Sequence, residues 1–217
     1  MGVSVLVIGA SGSGKSRSIK NMPPEEIGVF NISGKLFPFR EQVPAANICR
    51  AADIKDQLKK GSRKCYILDD AQFIMSFQEM DTKKTGFDKW NAIGYDFIGL
   101  VRFVNEQLPA DTTVYFLMHS EVTDDGCTKA KTLGKLIDAH YTLEGLAPVV
   151  IGCEIVQGKH KFVLHNKGAT TYKTPEGMFE QDEIENDLVL VDDAIRDYWH
   201  LGSRKTKSTN KAKEVEK

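Results

Sequence analysis

The sequence predicts an α/β fold with a mainly parallel sheet flanked by helices. Three observations predict it. Short, continuous apolar runs alternate with helical patterns over the first 120 residues, as in strands that are buried on both faces and joined by crossover helices. A glycine-rich octapeptide separates the first apolar run from the first helical pattern. The chain has 217 residues, 41% hydrophobic and 27% charged, which suits one packed domain that folds without disulfides.

In chain order, residues 3–8 (VSVLVI) read as a buried strand. Residues 14–21 read as a helix stopped by Pro23 and Pro24. Residues 27–32 are a second strand, followed by a loop whose tip, Lys35-Leu36-Phe37-Pro38-Phe39-Arg40, is both apolar and basic. Residues 52–60 form an amphipathic helix closed by Gly61, and 64–68 a third strand ending in Asp69-Asp70. A helix over 71–80 precedes a long one capped by Asp88 and reaching about 107 (Ile93, Phe97, Leu100, Val101 and Val104 at helical spacing). Residues 114–118 are a fourth strand, and 121–131 a polar loop turning at Asp124-Asp125-Gly126. A short helix is expected over 133–139. The segments 149–156 and 161–165 form a C-terminal antiparallel hairpin around 157–160 that extends the sheet, and 192–198 is the last helix.

The domain is assigned to residues 1–202 and a basic disordered tail to 203–217. The tail holds six Lys/Arg and two Glu, a net of +4, which leaves 23 basic against 28 acidic residues, a net of −5, over the rest. Such a mildly acidic body does not coat duplex DNA by charge alone. No apolar stretch reaches the ~18 residues of a membrane span. The N-terminal run lacks a basic n-region and a cleavage site, so neither a membrane nor a secretory location is expected. The four cysteines are far apart without a Cys-x-x-Cys pair and read as reduced thiols of a cytoplasmic protein.

The strongest motif is Gly9-Ala10-Ser11-Gly12-Ser13-Gly14-Lys15-Ser16, which fits G-x-x-x-x-G-K-[ST] between a strand and a helix. Glycines let the backbone turn tightly and present several N–H groups to phosphate oxygens. The helix start adds positive potential, Lys15 a mobile charge for the β- and γ-phosphates, and Ser16 a hydroxyl for Mg²⁺. Residues 9–16, with Arg17 beside them, are the expected ATP-binding residues. Asp69, at the end of an apolar strand, is the expected second Mg²⁺-side group, and Asp70 the expected base for the attacking water.

In a sheet of order 5-1-4-3-2, the fourth strand lies between the strand bearing the phosphate loop and the strand bearing Asp69. His119 at its end is then placed to sense the γ-phosphate, with Glu121 as a second possible base. Lys129 and Lys131, followed by Gly134-Lys135, are either a finger toward a neighbouring subunit's nucleotide or a solvated charge run.

The segments GASGSGKS, ILDDAQF, TVYFLMHSE, KTLGKLIDAHYTLEG, KTPEGMF and NDLVLVDDAI together resemble phage-encoded ATP-binding proteins of the RecA-like branch of P-loop ATPases, some grouped as Sak-type recombination proteins. The resemblance covers most of residues 1–200 and rests on the HSE and KTLGKLID segments more than on the widespread phosphate loop. It implies a RecA-like P-loop NTPase fold, action in single-strand annealing or strand exchange with a single-strand binding protein, and a host-cytoplasm location. It further implies a mobile DNA-contacting loop over 120–132, and a homo-oligomer, ring or filament. One departure concerns turnover: RecA-type ATPases carry a catalytic Glu after the second strand, whereas this chain reads Asn31-Ile-Ser-Gly-Lys35.

The leading expectation is thus a Mg²⁺- and ATP-dependent ATPase of DNA recombination, with single-stranded DNA contacted by the 120–132 loop, Lys83-Lys84, the basic tail and the Phe37/Phe39/Arg40 tip, although the rings of that tip are favoured as a hydrophobic plug onto the body or a subunit contact. A nucleotide kinase is the first alternative, weakened by only seven scattered arginines. An ATP-switched adaptor of helicase-loader type is the second.

Overall fold

The computed structural model describes residues 1–133, 137, 141–166 and 168–205. A nine-stranded, mostly parallel sheet is flanked by helices. Its strands are β1 (Val3–Gly9), β2 (Ile27–Asn31), β3 (Ala45–Ala46), β4 (Cys65–Asp69), β5 (Thr113–Val122), β6 (Thr128–Ala130), β7 (Val149–Val156), β8 (Lys159–Val163) and β9 (Glu183–Glu185). The order is β3-β2-β4-β5-β1-β7-β8-β9, with β6 paired to β5 alone. β3 to β7 along this path run parallel, and β8 and β9 join antiparallel. The expected position of the fourth strand between the first and third is therefore observed.

Alternation along β1 explains the layering. Leu6 and Ile8 face a core shared with α1 (Ala51–Lys60), α2 (Phe73–Asp81), α3 (Gly86–Gln107) and the short α4 (Leu143–Leu146). Val3, Val5 and Val7 face a second core closed by α5 (Leu188–Tyr198), Ile19 and Met22. Every residue of β1 is buried, as expected of a strand covered on both faces.

Several local expectations are corrected. The helix expected over 14–21 is only a 3₁₀ turn, Ser16–Ile19. Pro23-Pro24 leave no room to propagate it, and the Ser18 hydroxyl bonds back to the Lys15 carbonyl at 2.5 Å. Gly61 is extended rather than left-handed. A Cβ there would lie 1.9 Å from the Tyr66 hydroxyl, so the glycine makes room for that ring instead of capping α1. α3 begins at Gly86, which puts Asp88 in its first turn rather than at the cap. α5 starts four residues earlier than expected, capped by Asp187, whose side chain accepts from the Val189 N–H.

The expected mobile loop over 120–132 is mostly a hairpin. β5 continues through Val122 and pairs with β6, Glu121 opposite Lys129. Thr123 Oγ1 accepts from the Cys127 N–H, and Gly126 adopts φ +82°, which closes the turn. The C-terminal hairpin is tighter than expected, with only Gln157 (φ 50°) and Gly158 (φ 77°) between β7 and β8. The expected helix over 133–139 and Lys135 fall largely outside the described residues, as does the chain beyond 205.

Arg204, placed in the disordered tail by composition, is buried. It donates to Asp192 at 2.7 Å and pairs with Asp193. The fully buried Asp192 also accepts from Thr113 (2.8 Å), Tyr115 (2.9 Å) and Arg196 (2.6 Å). This cluster ties α5 to the start of β5. Burial by itself raises the Asp192 carboxyl, but Arg196, Arg204 and Thr113 more than offset it and hold the group below its ordinary value.

A carboxyl lowered on folding contributes stability above its ordinary range, and that contribution is lost as pH falls through the folded value. Asp192→Ala takes the carboxylate from the buried Arg196 and leaves Arg204 only its other acidic partners, and should cost about 3–5 kcal/mol at pH 7. Urea unfolding is expected to show that gap narrowing as pH falls below the ordinary carboxylate range and through the lowered folded value of Asp192.

Candidate functional site

All five central parallel strands end on one edge of the sheet, and a cleft of about 380 Å³ opens there. The loop after β1 forms its floor. Gly12 (φ +79°) and Gly14 (φ +107°) take conformations that cost other residues. Gly9 fits because a Cβ would lie 2.3 Å from the Cys153 carbonyl oxygen.

Lys15 is buried, and its Nζ donates to the carbonyls of Gly9 and Ala10, each at 2.8 Å. Burial lowers its pKa, and nearby Cys153, Asp70 and Asp69 oppose that shift. Ser16 Oγ donates to Asp69 Oδ1 at 2.8 Å, so the end of β4 and the loop after β1, 53 residues apart in sequence, meet side by side. The Asp69 carboxyl is pushed up to about 6 by burial and by Asp70. A cation placed beside it favours the ionised form.

Asp70 has φ 60°, a left-handed backbone that tucks its carboxylate inward. Lys35 Nζ lies 2.5 Å from Oδ2, and His119 Nε2 3.4 Å from Oδ1. Burial raises the Asp70 carboxyl, but Lys35, Ser33 and His119 outweigh it and leave the pKa lowered. His119 is lowered by burial and by Lys15, so it is neutral at pH 7 and meets Asp70 as a polar contact rather than as a cation.

The expected residues divide. The cleft is lined by Ser11, Gly12, Gly14, Lys15, Ser16, Arg17, Asp69, Asp70 and His119. Gly9, Ala10 and Ser13 build the loop beneath them. Glu121 pairs across the hairpin with Lys129 at 3.3 Å, and neither lines the cleft. Lys131 lines a smaller cavity on the other side of His119, and its N–H donates to the His119 carbonyl at 2.7 Å. Phe37 and Phe39 stack on each other, centroids 5.3 Å apart, and pack onto the second core, so they serve as a plug rather than as exposed rings for bases.

Four contributors were not among the expected site residues. Lys35 reaches Asp70 from the loop after β2. Cys153 on β7 donates to the Ser13 carbonyl at 3.3 Å, and His160 on β8 contacts the same oxygen through Nδ1 at 2.7 Å. A carbonyl only accepts, so Nδ1 carries the proton. Asn186 donates to Cys153 Sγ at 3.2 Å and accepts from Arg17 at 3.4 Å. The antiparallel extension of the sheet thus braces the glycine-rich loop from the side.

The chemistry of this site suits a hard anion with a hard cation. The buried Ser13 Oγ, Asn31 Oδ1 and Gln72 Nε2 have no hydrogen-bond partner. Of these, Ser13 belongs to the loop, Asn31 pairs in register with Asp69, and Gln72 Oε1 accepts from the His119 N–H. Among the described residues no group of three or more His, Cys, Asp or Glu could hold a metal alone. Ser16 and Asp69 instead offer two oxygens, the partial ligand set typical of Mg²⁺ that also takes substrate phosphates and water. No described helix is long and apolar enough to cross a membrane.

No protein-family model matches the chain, and no curated protein matches it significantly.

Gly9→Ala is expected to push β7 and the loop apart and destabilise the protein by about 1–3 kcal/mol, read as a lower urea midpoint with an unchanged slope.

Proposed function

We infer that the chain is a Mg²⁺-dependent ATP-binding protein and ATPase of RecA-like P-loop type, acting in phage DNA recombination or single-strand annealing. The observation that carries this reading is the 2.8 Å contact between Ser16 and Asp69, beside a lysine whose Nζ rests on its own loop's carbonyls. A Mg²⁺ ion bound there offsets charge on the β- and γ-phosphates.

The chain's own residues do the rest. The amides of residues 11–16 cradle the phosphates, and Lys15 leaves the Gly9 and Ala10 carbonyls to meet them. Ser16 and Asp69 turn their oxygens to the cation. Asp70 accepts the proton of the attacking water as the bond from the γ-phosphorus to the bridging oxygen breaks, with ADP and phosphate as products. His119, neutral and against Asp70, orients that carboxylate. Because β5 runs on from His119 into the hairpin with β6, a change at the γ-phosphate is carried outward along that ladder. That hairpin, Lys83-Lys84 and the basic C-terminal residues are the surfaces proposed for single-stranded DNA.

One observation favours the switched-adaptor reading for turnover: Asp70 is held in an ion pair with Lys35, so binding outlasts hydrolysis unless that pair opens.

Phosphate release is expected to rise when single-stranded DNA is added; transfer of the γ-phosphate to a nucleoside monophosphate would instead identify a kinase. Lys15→Ala should abolish ATP binding in equilibrium titration. Asp70→Asn should slow phosphate release by about 10²-fold or more with ATP affinity within about twofold of wild type.

A further inference from the structure

The residue that takes the place of the missing acid after β2 is a lysine. Asn31 Nδ2 donates to the Lys35 carbonyl at 2.7 Å, which fixes the backbone of residue 35 at the end of the strand. The intervening Gly34 turns with φ +69° and open space where a side chain would stand. The Lys35 side chain then crosses the mouth of the cleft to Asp70.

The two partners differ sharply in exposure. The Lys35 side chain is 61% exposed, and that of Asp70 only 3%. The carboxylate is fixed, while the cation sits over it on a solvated, flexible stem. Lys35 also acts electrostatically on Lys15, Asp69 and His119, which lie around the same cleft. Lys15, by contrast, is sunk into the floor.

We propose that Lys35 is a γ-phosphate-binding residue that gates Asp70: it shields the carboxylate while the cleft lacks a terminal phosphoryl group, and swings onto that group when a triphosphate binds. This rests on the nucleotide site inferred above. The physical reason is charge. A terminal γ-phosphate carries more negative charge than a carboxylate and offers several oxygens to an ammonium group. Its arrival outcompetes Asp70 for the lysine. The freed carboxylate can then accept a proton from water, which it does poorly while paired. A diphosphate ends one phosphoryl group short and leaves the Lys35–Asp70 pair closed. Lys35 therefore tells a triphosphate from a diphosphate, and it couples that distinction to the group that activates water.

The test is equilibrium binding of a non-hydrolysable ATP analogue and of ADP, each with Mg²⁺, to wild type, Lys35→Ala, Lys35→Met and Lys35→Arg. The expected result is about a tenfold loss of analogue affinity in the Ala and Met variants, about 1.4 kcal/mol. ADP affinity should stay within about twofold, and Lys35→Arg should recover most of the loss. Equal loss for both nucleotides, or no loss for either, overturns the proposal and leaves the nucleotide site standing. Wild-type protein that binds neither nucleotide overturns the site itself.

Discussion

The structure depends on the burial of β1 between β5 and β7, with an apolar layer on each face. Every side chain from Val5 to Ile8 is fully buried, and so is every side chain from Val114 to Met118 on the neighbouring strand. Parallel strands packed this way must end at one edge. There the peptide groups of the following loops leave the ladder and need new partners. The glycine-rich loop, the Asp69-Asp70 pair and His119, where β5 runs on past its parallel neighbours, meet at this edge, so the cleft is a direct consequence of strand order.

The opposite end of the sheet is secured by other means. Asp192 collects four donors, two of them from arginines, where α5 crosses the beginning of β5. A buried carboxylate of this kind is costly unless every lone pair is used, and here Arg196 also bonds the Lys64 and Asp111 carbonyls. Polar clusters thus close both ends of an apolar slab. One is fully paired and structural. The other retains unpartnered buried atoms at Ser13, Asn31 and Gln72, and a left-handed Asp70, features that concentrate at functional sites.

The cleft's electrostatics follow from crowding two carboxylates and two lysines at one sheet edge. Their arrangement separates the carboxyl groups in character. Asp69, buried and bonded to a neutral hydroxyl, is raised; Asp70, in contact with a lysine and a histidine, is lowered. The first would regain its charge beside a cation, and the second is ionised without one.

The strands, the motif Gly9 to Ser16 and the carboxylate ending β4 were legible in the chain because each depends on local pattern: continuous apolar runs, glycine spacing, an acid at a strand end. Where neighbours compete, the local pattern misleads. Gly61 yields to the Tyr66 ring, the 14–21 helix stops at a single turn, the polar 120–132 segment zips into a hairpin, and Arg204 leaves its basic tail for a buried aspartate. Lys35 and His160 reach the cleft from the loop after β2 and from β8, and Cys153 on β7 and Asn186 after β9 brace the glycine-rich loop beneath it; no spacing rule marks them. The sequence by itself determined the α/β class and the residues of the glycine-rich loop, since dihedral preference and hydrophobic period act over a few residues. Only the tertiary structure decided what surrounds that loop, because contacts between distant segments depend on strand order and packing.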